Sequence, residues 1–171
     1  MQTRHLLGDK TDIDIKAVSR AINQMELINI FLLDANITSD PSTRSPRGAS
    51  LKYNFNAEIL KRKEDNLLLI CNFTVSAFRK DQPDNLIMNI GAKFSLEYYI
   101  QNPEKLLEND IDNFIKIAPL DTAWPFWREF VQNLTSRMGF PTLTIPILRF
   151  EKHTKKPIKS TTPKKRKTKA G

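Results

Sequence analysis

Covalent or acid–base chemistry needs a nucleophile, a proton carrier or a metal ligand held among partners. The chain has one cysteine and two histidines with which to supply them. His5 and His153 stand in the terminal segments, where flexibility spoils positioning. Cys71 falls in the apolar register of an alternating run and reads as a small core hydrophobe rather than a thiolate. Asp34 interrupts an apolar run and reads as a charge at a strand edge or end. Glycines at 8, 48, 91, 139 and 171 match neither a phosphate-binding loop nor a dinucleotide fingerprint. No catalytic constellation emerges, and the expectation is a non-enzyme with no cofactor and no metal.

The chemistry left over is apolar contact. Tyr53, Phe55 and Phe73 fall on strand patterns, Trp124 and Trp127 on a helical one, and Phe140, Leu143 and Ile145 on a segment that is neither. Regular spacing makes core packing the default for most of them. Phe140 and Leu143 are the exceptions, because their segment can cross a sheet face and leave an apolar groove beside it.

The elements that must position these side chains follow from periodicity. Residues 12–23 read as a short helix inside an N-terminal segment, 1–24. Residues 25–37 carry apolar side chains on both alternating faces, with Ile28, Ile30 and Leu32 on one and Leu27, Phe31 and Leu33 on the other, which predicts a strand covered on both sides. After a linker at 38–50 rich in Ser, Pro, Thr and Arg, taken as a mobile loop, Leu51, Tyr53, Phe55, Ala57 and Ile59 alternate strictly with polar residues. The same period-two pattern recurs over 67–77 and 86–100, with turns at 61–66 and 80–85. The expectation is a four-stranded antiparallel meander with one oily face and one polar face left to solvent.

Two helices are predicted to follow. The first is acidic, with Asn102 as cap and Pro103 at the first helical position. The second has Asp121 or Thr122 as cap, Pro125 in its first turn and Gly139 at the left-handed C′ position. Its apolar arc, holding Trp124, Phe126, Trp127, Phe130, Val131, Leu134 and Met138, spans nearly half the cylinder, more than one packing surface needs. Helices that follow the strands and cover one sheet face make the class α+β.

The segment after Gly139 is apolar, yet Pro141 and Pro146 bar it from a central strand. It is expected to lie extended over the body. Thr135-Ser136-Arg137-Met138-Gly139-Phe140-Pro141-Thr142-Leu143-Thr144-Ile145-Pro146, preceded by Trp124-Pro125-Phe126-Trp127-Arg128, resembles the SecB family of export chaperones, and the resemblance extends as a pattern over about 25–150. It implies an ATP-independent holdase that binds unfolded or precursor polypeptides, in a tetramer built as a dimer of dimers. A client groove is then expected at Phe140, Leu143, Ile145, Tyr53, Phe55, Phe73 and Trp124. An oligomer interface is expected at Trp127, Val131, Leu134, Met138, Ile28 and Ile30. Long strand patterns point to self-association independently, since unpaired edges invite pairing with another chain.

The formal charge of +8 belongs to the end of the chain: nine Lys or Arg and one acid lie in 151–171, and residues 1–150 balance to zero. That segment reads as a disordered basic tail, whose Lys164, Lys165, Arg166 and Lys167 could make salt-sensitive contacts with nucleic acid, ribosome or anionic membrane. Family members of the acidic kind hand clients to the SecA motor; the basic tail puts that partner in question. A lone cysteine and the lack of a signal-length apolar run predict a soluble, cytoplasmic protein. Matches to the glycosylation pattern at Asn36, Asn72 and Asn133 fall inside predicted elements and are chance. The rival readings are a dedicated chaperone of one partner, such as a toxin–antitoxin pair, and a nucleic-acid-binding oligomer acting through its tail.

Overall fold

The computed structural model describes residues 13–40, 42 and 48–148. The basic tail, both histidines and residues 41 and 43–47 of the linker lie outside that set.

Helix α1 (Ile15–Ile22) starts where Asp14 Oδ1 accepts hydrogen bonds from the backbone N–H of Lys16 and Ala17, at 2.9 and 3.3 Å. Such a cap satisfies donors that the first turn cannot pair internally. Ala17, Val18 and Ala21 form its buried face. Four strands follow: β1 (Met25–Ser39), β2 (Ala49–Arg62), β3 (Asn66–Arg79) and β4 (Leu86–Ile100). All neighbours are antiparallel, as expected.

Their order is β1-β4-β3-β2, which corrects the meander. Strands β2, β3 and β4 are joined by hairpins, but β1 pairs with β4, so the chain crosses from one edge of the sheet to the other between residues 39 and 49. Both edge strands therefore come first in sequence.

Register explains why β1 looked apolar on both sides. Met25, Leu27, Ile30, Leu32, Ala35 and Ile37 stand opposite β4 residues of the oily face, while Phe31, Asp34 and Asn36 stand opposite Ser95, Lys93 and Gly91 on the other. Shifts between Leu27 and Asn29 and between Leu32 and Asp34 leave Ile28 and Leu33 as extra residues. Each such bulge resets the period-two count. Asp34 sits at an edge, as expected, 3.5 Å from Lys93 Nζ.

The polar face is held by short cross-strand bonds. Asn66 Nδ2 donates to Glu97 at 3.0 Å, Asn72 Nδ2 to Glu58 at 3.0 Å, and Ser76 Oγ to Asn89 at 2.7 Å. On the oily face, Leu67, Leu69, Cys71, Phe73 and Val75 of β3 and Ile90, Leu96 and Ile100 of β4 are essentially fully buried.

The two expected helices are one. After a single 3₁₀ turn at Pro103–Lys105, helix α2 runs unbroken over Glu108–Arg137 with Pro119 and Pro125 inside it. Asn102 stands at the N-cap position of the 3₁₀ turn with Pro103 next, as expected, but its side chain makes no capping bond and donates to Gln24 Oε1; Asp121 and Thr122 are interior. Proline removes an intrahelical hydrogen bond, a cost tertiary packing can exceed. At 1.5 Å per residue the helix spans about 45 Å, close to the roughly 50 Å of a fifteen-residue strand. Leu120, Ala123, Trp124 and Trp127, between and just past the prolines, are all buried. A break there would leave part of the sheet uncovered.

Helix α2 lies over β2, β3 and β4, and α1 packs chiefly on α2. That contact is pinned by Arg20, whose Nη2 lies 2.5 Å from Asp110 Oδ1, and by Asp14 N–H donating to Asn113 Oδ1 at 2.9 Å. Asp110 is fully buried and also accepts from Leu107 N–H. The bond from Arg20 holds its carboxyl below the usual carboxylate range, against the opposing effect of desolvation.

Candidate peptide-binding site

Helix α2 ends as its sequence suggests. Met138 caps it, Gly139 follows with φ +74°, and Phe140 N–H closes onto Thr135 O at 3.1 Å. That left-handed residue turns the chain back along the helix. Residues 140–148 then run as an extended strap, and the expectation of an apolar segment lying over the body holds.

Three side chains of α2 fasten the strap. Thr135 Oγ1 accepts from Leu143 N–H at 3.0 Å, Arg128 Nε donates to Ile145 O at 2.7 Å, and Trp124 Nε1 donates to Pro146 O at 2.9 Å. Thr135 is fully buried, and its hydroxyl also donates back to Val131 O at 2.9 Å, so both roles of the group are satisfied. Arg128 and Thr135 enter the sequence reading only within the run that resembles the SecB family, with no role assigned. Their signal was spacing: 124, 128, 131 and 135 form one stripe, which places both on the side of the helix that carries Trp124.

The seven residues expected to line a groove belong to one contiguous apolar cluster. Within it, the ring of Trp124 meets Phe55 edge-on at 5.3 Å and Phe73 at 5.7 Å, while Phe73 stacks on Trp127 at 5.7 Å. Phe73, Trp124, Phe140 and Ile145 are buried in this chain's own core. Tyr53, Phe55 and Leu143 are half-buried and reach the surface. Burial raises the phenol pKa of Tyr53, so it stays neutral at physiological pH.

The residues expected at an oligomer interface divide in the same way. Trp127 and Val131 are taken up by the core, at 1% and 0% exposure. Leu134, Met138 and Ile30 are half-buried, and Ile28 is exposed. Around them the structure adds a cleft of about 430 Å³ between β1 and the last turns of α2, lined by Ile30, Leu32, Phe94, Phe126, Phe130 and Leu134. Leu27, Ile28, Phe31, Leu32, Leu33 and Ile37 of β1 are each 40–56% exposed, and Phe126 is 45% exposed. Of these, Leu32 and Phe126 line the cleft together, and exposed apolar side chains grouped in this way mark an interaction surface.

Cys71 is buried and its thiol is pushed up to about 12 by desolvation, which removes it as a nucleophile. Among the described residues no three His, Cys, Asp or Glu side chains are grouped to hold a metal ion, and no helix is long and apolar enough to cross a membrane.

A four-stranded antiparallel sheet, a long helix across it and an extended strap returning along that helix define the SecB-like fold. The same architecture is seen in the Mycobacterium tuberculosis Rv1957 SecB-like chaperone in complex with a ChAD peptide from the Rv1956 HigA1 antitoxin, which aligns over 80% of this chain and 99% of its own with a TM-score of 0.69 at 15% identity. A protein of unknown function from Streptococcus agalactiae aligns over 72% of this chain and 98% of its own, with a TM-score of 0.36 and 12% identity. By sequence, no protein-family profile and no curated protein matches.

Proposed function

We propose that the chain is a chaperone of the holdase type, which keeps polypeptides soluble by covering their apolar segments without nucleotide or covalent chemistry. The observation that carries this reading is the SecB-like fold with Tyr53, Phe55 and Leu143 left half-exposed where β2 meets the helix and strap. Apolar side chains at the surface beside an edge strand suit a client whose sequence varies, because shape and backbone bonding tolerate many side chains. The cytoplasm is the compartment that fits a protein with a buried, unpaired thiol.

Self-association belongs to the same reading. Covering apolar side chains that are now about half exposed on β1 and at Phe126 favours association with a second copy. The cleft beside β1 then serves subunit contact and leaves the strap side for clients. The dimer of dimers that the SecB resemblance implies is the arrangement proposed.

A second reading, a chaperone dedicated to one partner, is favoured by the antitoxin peptide held by the mycobacterial neighbour. Pull-downs with the full chain and with a Tyr53→Asp, Leu143→Asp variant of unchanged mass in solution separate the two. Loss of many unfolded clients establishes the general holdase; loss of one dominant partner establishes the dedicated one. Retention of every bound protein by the variant would remove the site from both readings.

A further inference from the structure

Charge along this chain falls into two blocks. Residues 1–150 balance to zero, while 152–169 hold nine Lys or Arg in eighteen residues and no acid. Two residues of chain span at most about 7 Å, so the second block carries its positive charges at least that densely. A neutral body neither holds such a block by its net field nor adds to it. The natural counterpart is a linear polyanion with closely spaced charges.

The side chains that accompany the charges decide which polyanion. Over 152–171 there is no Phe, Trp or Tyr to stack on a base and no Asn or Gln to pair with a base edge. Contacts from Lys and Arg to phosphate remain, and these carry no sequence information. Ile158 is the only large apolar side chain in the same stretch. Holding a lipid surface stably takes buried apolar groups beside the basic ones, and one isoleucine supplies little of that. A phosphodiester backbone, with one charge per about 1.7 Å of duplex, needs none.

The fold fixes where the block begins. Trp124 Nε1 holds Pro146 O at 2.9 Å. Leu148, two residues on, is 7% exposed within the apolar cluster that contains Trp124 and against which Tyr53 and Phe55 pack. Lys152 follows four residues later, at most about 14 Å away along the chain. The first cation is thus rooted beside the half-exposed surface of Tyr53, Phe55 and Leu143. Whatever the block binds is brought close to the client site.

We infer that residues 152–169 bind nucleic acid through its phosphate backbone, without regard to sequence, and so station the holdase surface on it. The nucleic-acid half stands on charge and needs no chaperone activity. The stationing of a client site rests on the holdase reading.

The test titrates full-length protein and a Lys164→Gln, Lys165→Gln, Arg166→Gln, Lys167→Gln variant against labelled single strands of about thirty nucleotides, one RNA and two DNAs of different sequence, over a range of KCl. Anisotropy should give similar affinities for all three. With every cation on a phosphate, log affinity falls against log salt with a slope of about −6, and the variant flattens it by about 3, at roughly 0.7 per phosphate contact. At low salt the variant should bind at least about tenfold more weakly. No binding by the wild type, a variant with unchanged affinity and slope, or a strong preference for one sequence overturns the proposal. Tighter binding to phosphatidylserine vesicles than to any oligonucleotide at the same salt also overturns it and assigns the block to a membrane. Size exclusion with labelled oligonucleotide and a permanently unfolded protein then reads the second half. A ternary complex is expected with the wild type, and client binding should be unchanged in the variant. Exclusion of the client by the oligonucleotide overturns the stationing. Client binding by neither protein, with oligonucleotide binding intact, overturns the holdase reading and leaves nucleic-acid binding standing.

Discussion

The indole of Trp124 donates a 2.9 Å hydrogen bond to the carbonyl oxygen of Pro146, tying the middle of the long helix to the far part of the strap that follows it. The same ring packs edge-on against Phe55 of the edge strand. One side chain therefore sets the spacing between helix, strap and sheet edge, and the half-exposed surface of Tyr53, Phe55 and Leu143 depends on that spacing.

Replacing Trp124 with Phe keeps much of the ring packing and removes the donor. The Pro146 carbonyl then loses its protein partner, and a hydrogen bond of this kind contributes about 0.5–1.5 kcal/mol net. Urea unfolding should show a loss of that size, with faster hydrogen exchange at Leu143 and Ile145. An unchanged midpoint would mean that the bond does not hold the strap.

Acid should release α1 from α2. The Asp110 carboxyl is held below its ordinary value by Arg20, so the folded state favours the charged form. Its contribution is complete above about pH 4, the unfolded carboxylate value, and fades as pH falls through the depressed folded value. Exchange of the α1 amides should rise below pH 4 while the sheet stays protected. Asp110→Asn, already weakened at pH 7, should show little further change in that window.

Cys71 should be unreactive toward thiol reagents at pH 8. Its pKa of about 12 and its burial remove both thiolate and access. Labelling should appear only with global unfolding in denaturant, and rapid labelling in native buffer would contradict the packing described.

A charge at Phe126 should shrink the assembly. The residue is 45% exposed at the cleft beside β1, so Phe126→Glu costs the monomer little but places a carboxylate where a second apolar surface is proposed to sit. Light scattering should show a lower mass with an unchanged circular dichroism spectrum. An unchanged mass would move the subunit contact elsewhere.

Strands β2, β3 and β4 were legible because each has one buried face, and a strict two-residue period follows from that alone. In β1 the extra residues Ile28 and Leu33 shift the phase twice, and the resulting run imitates a strand buried on both sides. Its place beside β4 depends on a long crossover that leaves no local trace. The continuity of α2 was hidden for a related reason: Pro119 and Pro125 are local stop signals, and the sheet length that overrides them is a tertiary quantity.

The apolar residues expected at a groove do share one cluster, but the sequence pattern did not separate those that reach the surface from those buried in the core. Phe140 and Ile145 share the strap with Leu143, and only Leu143 keeps substantial exposure. Arg128 and Thr135 were given no role because polar residues on a helix are ordinarily solvated, whereas here each meets a backbone group of the strap.

Aggregation of a chemically unfolded protein, followed by light scattering without nucleotide, tests the central claim most directly. Wild-type chain and the Tyr53→Asp, Leu143→Asp variant would be compared after both are shown to have the same mass and fold. The account predicts that the wild type suppresses scattering at near-stoichiometric amounts and that the variant loses most of this effect. No suppression of any client by the wild type, or equal suppression by the variant, would contradict it.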